Sequence, residues 1–353
     1  MALVRPARPP FDPELAPVVE AVGAVDLTAA TLPQIRGFAA TPPDTVAAVL
    51  AGRGAERRDV GTTAPDGGPV ALTVLRPARR APGVLAPAVL WLHGGGMVMG
   101  DRFSQIDVPL DWLERFGAVV VTVDYRLAPE HPAPAGVEDG YRALCWLAEH
   151  AGELGVDPAR LVVAGVSAGG GVAAGVTLLA RDRGGPRVAA QVLSCPMLDH
   201  RDDTTSSHQY AGGPATWTRE QNAFGWAALL GEGHEGGRDG VLPYASPAVA
   251  EDLSGLPPTF VDVGSAEVFR DEDVRYASRI WAAGGDAELH VWPGGFHGFD
   301  VAVPAARLSV AARSAARHGS RGRWGWPERG PSGPQPLTDP DIRPPTKYLP
   351  RMM

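Results

Sequence analysis

Cysteine is nearly missing from this chain of 353 residues: there are two, Cys145 and Cys195. That is too few for a disulfide framework, and neither belongs to a metal-ligand or redox spacing. Cys145 falls in a helix-like segment and Cys195 at the end of an apparent strand, so both read as small buried apolar residues and no metal is expected. Basic charge is short as well. Lys and Arg number 32 against 40 Asp and Glu, a formal net charge of −8, and with no basic stripe neither nucleic acid nor an anionic membrane surface is expected as a partner. No run approaches the roughly 18 uninterrupted apolar residues of a membrane helix. The stretch Met1 to Pro10 lacks the apolar centre of a secretory signal, which makes the cytoplasm the expected location. Repeats of solenoid type are not evident.

Turn formers and apolar residues are abundant, with 44 Gly, 35 Pro and 44% hydrophobic residues, enough for one large domain with a filled core. Apolar runs at Val70–Leu75, Ala88–Leu92, Ala118–Val123, Leu161–Ala164, Ala190–Ser194, Thr259–Val263 and Ala287–Trp292 read as strands. Helical patterns at Pro109–Arg115, Gly136–Ala151, Gly170–Arg181 and Val274–Ala283 alternate with them, after two short helices at Pro13–Val22 and Asp44–Ala51. This alternation predicts an α/β fold with a mostly parallel sheet and helices on both faces. Residues 46–199 and 243–318 carry the pattern. The insertion 200–242 breaks it with polar, glycine-rich sequence around the apolar stripe Trp217, Phe224, Trp226, Leu229 and Leu230, and reads as a lid or as surface helices packed on the core. Residues 319–353, rich in Pro, Gly and Arg without period, read as a disordered tail or loose extension.

Three motifs carry chemistry. Gly165-Val166-Ser167-Ala168-Gly169 follows a strand and opens a small-residue helix, which exposes the Ser167 hydroxyl on a sharp turn in the manner of a nucleophile. Upstream, the strand ending at Leu92 runs into His93-Gly94-Gly95-Gly96. Three glycines let backbone N–H groups converge, so the Gly94 and Gly95 amides, with that of Ala168, are candidate donors to a developing oxyanion. Downstream, Pro293-Gly294-Gly295-Phe296-His297-Gly298 places His297 in a loop as a candidate base. The carboxylate that would orient it is sought among Asp262, Glu267 and Asp271. Asp262 lies inside a strand, and Asp271 lies in the charged run Arg270 to Tyr276, which reads as a solvated helix face. Glu267 lies past the strand's carboxyl end, where ligand chemistry gathers in such sheets, and is preferred, with Asp271 in reserve.

These motifs, with Asp124-Tyr125-Arg126-Leu127-Ala128-Pro129-Glu130-His131-Pro132 and Phe296-His297-Gly298-Phe299, resemble the hormone-sensitive-lipase-like bacterial esterases (family IV) from about Pro13 to Ala316. The resemblance implies an α/β-hydrolase fold with a helical cap and no cofactor. It implies a serine carboxylesterase acting on a small-molecule ester, with Ser167 as nucleophile, His297 as base and Gly94, Gly95 and Ala168 around the oxyanion. Members often carry Asp-Pro-Leu-Arg-Asp-Glu where this chain has Glu267-Val268-Phe269-Arg270-Asp271-Glu272, so glutamate stands in for the usual triad aspartate. Val166 stands where members often have Asp or Thr. The resemblance further implies a cap made of residues 1–45 and 200–242, substrate pockets lined by Met97, Met99, Trp217 and Phe224, and compatibility with a homodimer.

The few aromatics of the cap suggest short to medium acyl chains. Two other function classes stay in view. Gly169-Gly170-Gly171-Val172-Ala173-Ala174 fits a dinucleotide-binding fingerprint, although its glycines start inside the helix and no acid closes a second strand at the usual distance. The same fold could also serve a non-catalytic ligand receptor.

Overall fold

The computed structural model describes residues 6–21, 25–79, 83–231 and 243–322. Among these residues eight strands form one sheet: β1 (Ala55–Thr63), β2 (Pro69–Pro77), β3 (Ala86–Leu92), β4 (Val119–Asp124), β5 (Val156–Val166), β6 (Ala190–Ser194), β7 (Thr259–Gly264) and β8 (Ala287–Trp292). Their order across the sheet is β1-β2-β4-β3-β5-β6-β7-β8. The pairs β1/β2 and β2/β4 are antiparallel and the remaining neighbours parallel.

Why the central strands read as unbroken apolar runs is plain from their two faces. In β3, Ala88, Leu90 and Leu92 enter one core cluster and Val89 and Trp91 the other. A strand covered by helices on both sides has no face left for polar residues. The first cluster takes in the helices Ala135–Glu149 and Ala168–Asp182; the second takes in Pro43–Gly52 and Asp107–Phe116.

Seven of the expected strands are present, and an eighth was not legible. β1, with sequence AERRDVGTT, lies at the edge of the sheet and is mostly exposed, so it shows no apolar alternation. Charge on an edge strand discourages pairing with another chain. The helix Leu32–Ala39 was also missed, since Pro33 and Gly37 read as breaks and Leu32 alone is buried. The charged run from Arg270 is helical from Arg270 to Ala282, but it is not simply a solvated face, because Glu272 and Asp273 are buried. Cys195 is buried as expected, whereas Cys145 is only half-buried.

Beyond β8, the helix Arg307–Gly322 runs past the expected end of the core at 318. The rest of the expected tail, 323–353, lies outside the described residues. The insertion supplies the helices Thr205–Gln209 and Arg219–Leu230, and its stretch 232–242 is likewise outside them. Among the described residues, no helix is long and apolar enough to cross a membrane.

Candidate active site

Five parallel strands deliver the site at their carboxyl ends, the side of such a sheet where loops can converge. His93 follows β3, Ser167 follows β5, Cys195 follows β6, Glu267 lies three residues past β7, and His297 lies in the loop after β8.

Ser167 stands on the turn between β5 and the helix Ala168–Asp182 with φ 57° and ψ −125°. That backbone conformation is unusual for a residue with a Cβ and costs on the order of 1–3 kcal/mol, which the surrounding contacts hold in place. Its N–H donates to Ser194 O at 2.8 Å, and its carbonyl accepts from Gly171 and Met197. Glycine at 169 is required by a close approach: a Cβ there would lie 2.1 Å from Leu92 O. Val166, before the serine, sends its side chain into the second core cluster, which explains an apolar residue at this point.

A relay of hydrogen bonds joins three elements. His297 Nε2 lies 2.9 Å from Ser167 Oγ, and His297 Nδ1 lies 2.6 Å from Glu267 Oε2. The other oxygen, Glu267 Oε1, accepts the Gly264 N–H at 3.0 Å, so the longer side chain is clamped at both oxygens. Neither rival acid reaches the imidazole. Asp262 accepts from Trp292 Nε1, and Asp271 accepts from the Ser206 N–H and Arg270. The glutamate and histidine loops are bound together by Ser265 N–H to Trp292 O, Ala266 N–H to Gly295 O and Gly294 N–H to Ser265 Oγ. Phe269 meets the His297 ring edge-on at 5.0 Å, and Thr216 from the insertion donates to His297 O.

The glycine loop corrects one expectation. The Gly94 N–H donates to Gln105 Oε1 at 2.9 Å, so it is already committed within the fold. The amides of Gly95, Gly96 and Ala168 have no acceptor among the described residues. Ala168 also begins a 15-residue helix, whose N-terminal partial charge favours an anion. Gly96, not singled out from sequence, therefore stands with Gly95, because only the loop's path decides which of the three glycine amides stays unbonded. Glycine at 95 is required too: φ is 131°, and a Cβ there would lie 2.1 Å from Met99 O. Buried His93 is a structural residue: Nδ1 pairs with Gly94 O at 2.8 Å, and the ring stacks on Tyr125, whose hydroxyl donates to His93 O. Burial holds its pKa below the ordinary value.

One arginine that sequence reasoning left aside braces this loop. Arg36 donates to Val98 O and Ala128 O and forms a two-point pair with Glu130, tying the helix Leu32–Ala39 to the oxyanion side. Arg126 holds buried Asp139 in the same two-point way. From the insertion, Trp217 packs so closely that a Cβ on Gly96 would meet its ring at 2.4 Å, and its ring centre lies 6.5 Å from that of His297. Met97 is buried, while Met99 and Phe224 are partly buried against the same cluster. A small pocket of about 20 Å³ lies beside Met97, Val172, Leu229 and Tyr244. The glycines of the dinucleotide-like fingerprint lie inside the helix that follows Ser167 and are consumed by packing, Gly170 on Pro196 and Gly171 on Met197.

Sequence reading placed neither cysteine in a ligand cluster. Folding brings Cys195 beside Glu267 and His297, one ligand atom of each lying within 4.8 Å of the others, because β6 and β7 are neighbours.

A nucleophile turn, an apposed imidazole and carboxylate, and free amides at the rim of a mostly parallel sheet define a hydrolase of the α/β class. Residues 89–301 match the family described as alpha/beta hydrolase fold, and the chain belongs to that family. It is 37% identical over 243 residues to esterase LipI of Mycobacterium tuberculosis, covering 68% of this chain and 74% of that protein. It is 39% identical over 233 residues to carboxylesterase NlhH of the same species, covering 65% and 72%. Among solved structures, a bacterial heroin esterase superposes with a TM-score of 0.80 at 38% identity, covering 88% of this chain and 98% of that one.

Proposed function

We propose that this chain is a serine carboxylesterase that cleaves short- to medium-chain acyl esters through an acyl-enzyme. The observation that carries the reading is the unbroken relay from Ser167 Oγ through His297 to Glu267, at 2.9 and 2.6 Å.

Ser167 Oγ attacks the ester carbonyl while His297 Nε2 accepts its proton. Glu267 holds Nδ1–H and stabilises the imidazolium that forms. Negative charge develops on the carbonyl oxygen, and the Gly95, Gly96 and Ala168 amides receive it; Gly94 acts by holding the loop through Gln105. Collapse of the intermediate expels the alcohol, which takes its proton from His297. Water then attacks the acyl-serine with His297 as base, and the free acid leaves.

The insertion and the N-terminal segment act as the cap, with Trp217 closing the space above Gly96 and His297. The acyl chain runs past Met97 toward the cavity beside Val172 and Leu229, with Met99 and Phe224 on its margin. Esterase names among the relatives support the reaction class, and a non-catalytic receptor would have no need of an assembled relay.

Ser167→Ala is expected to lower p-nitrophenyl butyrate hydrolysis by about four orders of magnitude or more. Wild-type rates in the purified, folded variant would overturn the assignment. A series from acetate to palmitate is expected to favour the shorter chains.

A further inference from the structure

Cys195 is a nucleophilic side chain at this site that the proposed reaction leaves idle. It follows β6 as Ser167 follows β5, and its thiol packs where Glu267 meets His297. Thiolate, imidazole and carboxylate are ligand types that zinc takes in tetrahedral sites, at bonds of about 2.0–2.3 Å that set ligands roughly 3.5 Å apart. The three ligand atoms here lie within 4.8 Å of one another, so a contraction of about 1 Å closes the set. Nδ1 and Oε2, 2.6 Å apart across their hydrogen bond, open by about 1 Å to admit the cation between them.

The geometry points to a thiophilic-cation site formed by Cys195 Sγ, Glu267 Oε2 and His297 Nδ1, at which zinc turns the enzyme off. The cation replaces the proton shared by Glu267 and His297. On binding, the Cys195 thiol releases its proton to solvent, and the Nδ1 proton passes by way of solvent to Nε2. One proton is released per cation. The imidazole then donates to Ser167 Oγ instead of accepting from it, and the serine is left without a base. Three protein ligands leave a fourth position for water. Without a cation, burial holds the Cys195 thiol well above its ordinary pKa, which keeps it protonated and unreactive.

Inhibition rests on the hydrolase reading, whereas binding does not, and the test separates the two. Co2+ bound by a thiolate absorbs in the near ultraviolet, a signal independent of turnover. Titration of the full chain is expected to develop this band at one equivalent. Ser167→Ala and Cys145→Ala, which remove no ligand, should keep it; Cys195→Ala and the size-matched Cys195→Ser should change it, alanine abolishing it. In parallel, half-inhibition of ester hydrolysis by Zn2+, each protein referred to its own zinc-free rate and restored by EDTA, should need about tenfold or more zinc in Cys195→Ala, at least the loss caused by removing an outer partner of a metal ligand. A missing band in the unaltered protein, a band that follows Cys145, or equal zinc inhibition of Cys195→Ala overturns the site. A Co2+ band in a protein that hydrolyses no ester leaves the metal site standing and sinks the hydrolase reading.

Discussion

Gln105 accepts the Gly94 N–H through its side-chain oxygen at 2.9 Å, from a backbone that is itself left-handed at φ 54°. This single bond engages the first glycine amide of the loop, and the next two amides are left without an acceptor among the described residues. In the proposed reaction Gln105 is expected to act as a positioning residue for the oxyanion donors.

Replacing it with leucine keeps the bulk and removes the acceptor. Gln105→Leu is expected to lower kcat about tenfold while KM changes little, less than the roughly 10²–10³ lost when an oxyanion donor is removed outright. Steady-state kinetics on one ester would decide it; a change confined to KM would assign Gln105 to substrate binding instead.

The choice of acid is separable from the choice of nucleophile. Glu267→Gln should reduce kcat by about 10³ or more, since the amide no longer balances the imidazolium. Glu267→Asp should retain partial activity, because the shorter arm can still reach one of its two partners. Asp271→Asn, whose carboxylate serves the Ser206 N–H and Arg270, should leave kcat near the wild-type value. A large loss in Asp271→Asn with little loss in Glu267→Gln would reverse the assignment.

Arg36 holds two carbonyls, those of Val98 and Ala128, besides its pair with Glu130. Glu130 is 56% exposed, and such surface pairs contribute little. Leaving the carbonyls without their charged donor costs about 1–3 kcal/mol. Urea unfolding should therefore find Arg36→Ala clearly less stable and Glu130→Ala only slightly so. Arg36→Lys should not rescue it, because a single ammonium cannot serve the separate acceptors of a planar guanidinium. Equal losses in the two alanine variants would shift the weight to the ion pair.

Asp262 titrates far from its usual range. Burial, with Asp300 close by, raises its pKa to about 7. Unfolded, the same group ionises near 3.8, so over the interval from about 4 to 7 the native chain retains a proton that the unfolded chain has lost. Its contribution to stability is complete below that interval and is lost as pH rises through 7. Asp262→Asn, which stays neutral, should flatten this part of the profile of melting temperature against pH and gain most above pH 7. An identical slope in both proteins between pH 5 and 8 would show that another group is responsible.

Legibility from sequence followed burial on two faces. β3, β5, β6 and β7 could be read because helices cover both their sides, so apolar character is continuous, while β1 could not, because an exposed edge strand is free to carry Glu56, Arg57, Arg58 and Asp59. Ser167 and His297 were readable from glycines that their turns require. Glu267 was preferred for its place past β7, with Asp271 left in reserve. Gln105, Arg36 and Thr216 were hidden, since each acts through a backbone group 11 to 92 residues away in the chain and leaves no local pattern.

Residue types and their order were enough to specify the alternation of strands and helices, the nucleophile turn, and a serine, acid and histidine in succession. Which glycine amides are free, which carboxylate meets the imidazole, and that Cys195 lies beside both were settled by strand order and loop path. Local preference acts over a few residues, whereas these contacts join chain segments 11 to 130 residues apart, and only packing of the sheet and its helices can bring such segments within hydrogen-bond reach.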